Sequence, residues 1–219
     1  MQRPTRLLCA MILCALFPVP ALAGAWLRDE GAAFLSFSIT LEEPQDWGAP
    51  DGYGAFYGEY GLTPDLTLGL DLGTDESGKS KAFAFAVLPF KRDGMLINFE
   101  IGAGVDDGDP ALRPGVSIGR PITLAGLGGW FNVDTRATIT QGHDPVFASD
   151  ITLGLITSKR TKMFVQLQQG GPMSDPDWLR VASSVIWQMT PDRHLELGVT
   201  TGITGAESLG LKLGIWQEF

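Results

Sequence analysis

The sequence predicts an all-β protein, an antiparallel up-and-down transmembrane β-barrel of about twelve strands, with ten as the lower count. Three observations carry this. Apolar residues alternate with polar or small ones in segment after segment, the period-2 signature of strands with two different faces. The 28 glycines punctuate the chain at short, even intervals, as many strands joined by tight turns require. Beyond residue 23, no run approaches the roughly 20 apolar residues of a helical span. A chain that crosses a membrane without such a helix must do so as a closed sheet, which leaves no backbone group unsatisfied in hydrocarbon.

The strands follow one grammar. In 33–41, Leu35, Phe37, Ile39 and Leu41 share a face opposite Ser36, Ser38 and Thr40. The hairpin 53–72 turns at Thr63-Pro64-Asp65, where Pro presets φ at the corner, and then places Leu66, Leu68, Leu70 and Leu72 on one side. Segments 81–88 (Phe83, Phe85, Val87), 95–105 (Ile97, Phe99, Ile101) and 112–120 (Val116, Ile118) continue the pattern. Pro114 makes 112–120 the weakest member and the reason a ten-strand count stays open. Segments 129–140, 147–156, 161–168, 179–189 and 194–200 complete the interior, and 209–219 closes the chain.

The N-terminus reads as export machinery. Arg3 and Arg6 precede an apolar run from Leu7 to Pro18, which ends in Ala21-Leu22-Ala23 before Gly24, so residues 1–23 are expected to be a cleaved signal peptide and 24–219 the barrel. Cys9 and Cys14 both lie in the removed segment, each preceded by Leu, which does not fit a lipid-attachment site. The mature chain is expected to lack thiols, disulfides and a lipid anchor. Removing Arg3 and Arg6 takes the basic count from 16 to 14 against 25 acids, a net charge of about −11, which argues against nucleic-acid partners.

The final strand carries more than periodicity. Leu209, Leu211, Leu213, Ile215 and the terminal Phe219 occupy one face, and Gly210, Lys212, Gly214, Trp216 and Glu218 the other. This strand resembles the closing strand of Gram-negative outer-membrane β-barrels, and the mature chain as a whole resembles small porin-like barrels of proteobacteria. The resemblance implies that Phe219 is part of the signal read by the barrel-assembly machinery, and that outer-membrane lipid and lipopolysaccharide surround the protein.

A soluble barrel alternates too, but about twelve strands enclose an interior too wide for one apolar face to fill. The apolar face is therefore expected to meet lipid, with Tyr60, Phe90, Trp187 and Phe219 near the interfaces. The polar face then lines the lumen with Glu59, Asp71, Glu100, Arg113, Asp134, Arg136, Asp150, Lys162, Arg180, Glu196 and Lys212. Hairpin arithmetic places Arg136 opposite Asp150, and Glu196 opposite Lys212. An even strand count puts both termini on the periplasmic side. Of the outward loops, 42–52 is the candidate to bend inward.

These six acids and five bases either form a selectivity lattice along a narrow aqueous path or satisfy one another and stiffen the barrel. Near balance of sign predicts weak ion selectivity. Enzyme chemistry finds little support: His143 and His194 are the only histidines, and neither has a neighbouring serine to activate. Asp106-Asp107 and His143-Asp144 superficially resemble groups of omptin proteases, which carry long outer extensions absent here. Asp106-Asp107-Gly108-Asp109 lacks the spacing of a calcium loop, and there is no zinc spacing or cofactor fingerprint. No metal site, cofactor or catalytic residue is expected. The expected function is a narrow channel or passive uptake route for small polar solutes; the alternative is a non-conducting structural or adhesion barrel with a charge-closed lumen.

Overall fold

The computed structural model describes residues 25–44, 50–91, 94–174, 176–206 and 209–219. The expected signal peptide lies outside these residues, as does the middle of the loop 42–52 on which an inward bend was expected. Twelve strands follow one another: β1 (Ala33–Glu42), β2 (Asp51–Thr63), β3 (Leu66–Asp75), β4 (Ser80–Lys91), β5 (Leu96–Asp106), β6 (Asp109–Leu124), β7 (Leu127–Thr140), β8 (Val146–Ser158), β9 (Thr161–Pro172), β10 (Trp178–Thr190), β11 (Arg193–Thr204) and β12 (Gly210–Glu218). Each pairs antiparallel with its sequence neighbours, and β1 pairs with β12 to close the barrel.

The count is twelve because the segment containing Pro114 is a strand after all. It forms the middle of β6, the longest strand at 16 residues. Pro114 has no N–H to donate, and the β6–β7 ladder skips from Leu112↔Ile139 to Gly115↔Arg136 around it. The rest of the ladder holds the strand in place.

Turns at the end carrying both termini span two to four residues, whereas loops at the other end span two to eight. Outer-membrane barrels keep their short turns on the periplasmic side. The Asp107-Gly108 connection is a tight two-residue hairpin turn, both residues taking positive φ, 50° and 88°.

The outward faces are greasy. Phe37, Ile39, Leu41, Leu68, Leu70, Leu72, Leu211, Leu213 and Ile215 are all exposed, a band that only lipid satisfies. Tyr60, Phe90, Trp187 and Phe219 are also exposed and stand near the terminus-bearing end, at the level expected of an interfacial girdle.

β4 is turned the other way from its hydrophobic pattern. Phe83, Phe85 and Val87, expected to face lipid, point inward and are buried, with Phe83 only 2% exposed. The neighbouring strands explain the reversal. Gly69 on β3 faces Phe85, and a Cβ there would sit 2.1 Å from the ring, so the aromatic occupies the space that the glycine leaves. Ala82, Ala84 and Ala86 take the outer face instead.

Candidate functional site: a two-part lumen

The lumen is lined by the inward faces of the strands, polar on most and apolar over much of β4, and one side of it carries a continuous chain of charge. On β3 to β7, Asp71 accepts from Lys81 Nζ at 3.0 Å and from Arg113 Nη1 at 2.5 Å. Arg113 Nε lies 3.3 Å from Glu100, which in turn accepts from Arg136 Nε at 3.1 Å. The chain Lys81, Asp71, Arg113, Glu100, Arg136 thus alternates in sign across the interior. Phe83 lies under the Arg113 guanidinium at 4.5 Å, adding a cation–π contact to the ion pairs.

The other side, β8 to β12 with β1, is sparser. Lys212 Nζ pairs with Glu196 at 3.0 Å, and Glu196, 1% exposed, also accepts from Ser184 Oγ at 2.8 Å and Trp216 Nε1 at 3.0 Å. Near the outer rim, Arg180 pairs with Glu42 at 2.9 Å and donates to Gln168 at 2.7 Å. Two cavities lie between these groups. One of about 160 Å³ is walled by Tyr57, Trp130, Phe164 and Trp216 together with Asn132, Asp134, Thr152, Gln166, Glu196 and Lys212. A second of about 130 Å³ lies toward the rim by Tyr53, Gln168 and Arg180, and shares Gln166 and Lys212 with the first.

Register corrects two expected pairs. Asp150 stands opposite Asp134, not Arg136, and Arg136 stands opposite Ala148. Glu196 stands opposite Gly214, although Lys212 still reaches it diagonally. Both slips amount to two residues, which preserves the face and changes the partner. Asp134 accepts from Ser117 Oγ at 2.5 Å and from Asn132 Nδ2, and among the described residues no ion pair joins Asp134 or Asp150. Lys162 lies lower, opposite Ile186 on β10. His143, in the β7–β8 loop, brings its Nε2 to 3.4 Å from Asp109 at the start of β6.

The floor of the lumen comes from a segment the sequence reading left without a role. Residues 25–30, just before β1, enter the terminus-bearing end of the barrel. Ala25, 1% exposed, donates its N–H to Asn132 Oδ1 at 3.1 Å, and its carbonyl accepts from Asn98 Nδ2 at 2.5 Å. Arg28 donates from its amide to Thr67 Oγ1 at 3.0 Å and from Nε to Glu59 at 2.6 Å, while Tyr57 OH donates to the other Glu59 oxygen at 2.6 Å. Trp26 packs against the buried cluster of Trp130, Phe164 and Ile186. The only advance signal was an aromatic and a base in a segment without strand alternation.

The sequence matches no protein family and no curated protein. Solved structures with similar folds include the KdgM porin, at TM-score 0.65 and 8% identity over 85% of this chain and 99% of that one. The chain shares that porin's closed antiparallel barrel fold. The NanC porin is similar at TM-score 0.63 and 9% identity, covering 83% of this chain and 98% of the other. The COG4313 outer membrane channel from Pseudomonas putida F1 follows at TM-score 0.58 and 9% identity, over 93% and 100%. At such identities the likeness extends to the fold.

Proposed function

We propose that the barrel is a narrow route for small polar solutes, entered from the outer rim and closed at its periplasmic end, in this conformation, by residues 25–30. The observation that carries the reading is the pair of cavities, with walls part polar and part apolar, that share Gln166 and Lys212 along one side of the lumen. Their walls offer donors and acceptors that exchange readily with water, while the charge chain on β3 to β7 narrows the path from the other side. Paired charges of both signs favour weak ion selectivity. The KdgM porin is known in complex with disordered oligogalacturonate; sugar-sized polar solutes suit the scale of these cavities, and the mixed charge here disfavours a strict preference for anions. Phe219, exposed at the terminus-bearing end, serves in this reading as the assembly signal.

A second reading, a non-conducting barrel of structural or adhesive role, draws on the same floor and charge chain. Planar-bilayer recording separates the two. Small, weakly selective events are expected from the wild type, with larger or more frequent events from Arg28→Ala, which loses the Glu59 ion pair that helps hold the floor. Silence from both proteins under varied voltage and salt would sink the transport reading.

A further inference from the structure

The outer wall is dented on one side. Outward side chains of Leu155, Met163, Val185, Leu197 and Leu213 help line a groove of about 850 Å³ that spans β8 to β12 and reaches β1. Phe164, Ser184, Gly198 and Lys212, on the lumen register of the same strands, also contribute to its lining.

At its periplasmic end the groove reaches Thr157, beside the tight turn between β8 and β9. That turn presents Lys159 and Arg160, both exposed. Arg160 is fixed in place, its Nη2 donating at 2.9 Å and its Nε at 3.3 Å to the Gln188 carbonyl of the next hairpin. Trp187, 53% exposed, stands on the same outer face and marks the interfacial level. Across this turn and the neighbouring one, Lys159, Arg160 and Arg193 face a single acid, Asp192.

We propose that this groove is a binding site for an anionic phospholipid of the periplasmic leaflet, with its acyl chains in the trough and its phosphate at Lys159 and Arg160. The site requires outer-membrane placement with short turns in the periplasm, and it does not depend on whether the lumen conducts. Charge complementarity selects the headgroup, because each base near a membrane surface favours anionic lipid. A second copy of the chain is disfavoured by shape: a two-fold interface sets a patch against itself, and two concave troughs leave a gap.

The test is native mass spectrometry of the full chain released from nanodiscs of phosphatidylcholine containing about a fifth phosphatidylglycerol. Retained phosphatidylglycerol is expected to exceed its share of the bilayer, by roughly fivefold for each base that engages it. Lys159→Ser should lower that enrichment by about fivefold, and Lys159→Ser with Arg160→Ser should abolish it. Ser183→Trp, which fills the trough, should reduce retention of both lipids. Retention in proportion to the bilayer, or enrichment unchanged by all three variants, overturns the proposal, as does a dimer that carries no lipid. Heat-shifted gel mobility shows that each variant is a folded barrel, and bilayer conductance, measured separately, reports on the lumen alone.

Discussion

The two sides of the barrel face the same problem, an interior too wide for one layer of side chains, and meet it differently. From β3 to β7 the space is filled by long residues linked in sequence, with Arg113 held between Asp71 and Glu100 and resting on Phe83. From β8 to β12 fewer charges are linked, cavities open inside and a groove runs along the outer wall. The charges are tied together on the first side, and the inner cavities and outer groove lie mostly on the second.

Substitutions that strain this contrast should fall in a definite order. Arg113→Leu leaves Asp71 and Glu100 buried without their shared partner and should cost about 3 to 5 kcal/mol, read from the urea midpoint in lipid vesicles. Gly119→Leu drives a side chain into Ala25 and Trp26, since a Cβ alone would lie 2.6 Å from Ala25. About 1 to 3 kcal/mol and faster quenching of tryptophan fluorescence by acrylamide are expected as the floor loosens. On the sparse side, Lys212→Ala should cost about 1 to 2 kcal/mol, because Ser184 and Trp216 continue to satisfy Glu196. Arg180→Gln at the rim should cost less than about 1 kcal/mol. A Lys212→Ala penalty exceeding that of Arg113→Leu would erase the distinction between the sides. The register beneath it is checked by Asp134→Cys with Asp150→Cys, which should form a disulfide more readily than Arg136→Cys with Asp150→Cys.

Strand existence was legible because lipid outside and water or charge inside impose period-2 alternation over whole segments. A register slip of two residues leaves each side chain on the same face. That same periodicity hid the partners: Arg136 with Asp150 and Asp134 with Asp150 obey it equally well, and only the loop's geometry decides between them. β4 was misread because hydrophobicity cannot tell a ring that meets lipid from one that fills a lumen. The deciding sign lay on the adjacent strand, where Gly69 leaves room for Phe85. Residues 25–30 were opaque because their hydrogen bonds go to Asn98, Asn132, Thr67 and Glu59, far along the chain, and no local pattern encodes such anchors.

The floor also constrains the order of assembly. Residues 25–30 run directly into β1, whose first residue exchanges both backbone hydrogen bonds with Phe219 at the seam. Their anchors on β3, β5 and β7 belong to a sheet that must already exist to receive them. A barrel sealed between β1 and β12 before the segment is seated would have to admit Trp26 through its own mouth. Seating first and sealing afterwards avoids that step, and makes the leading residues a template around which the last seam forms.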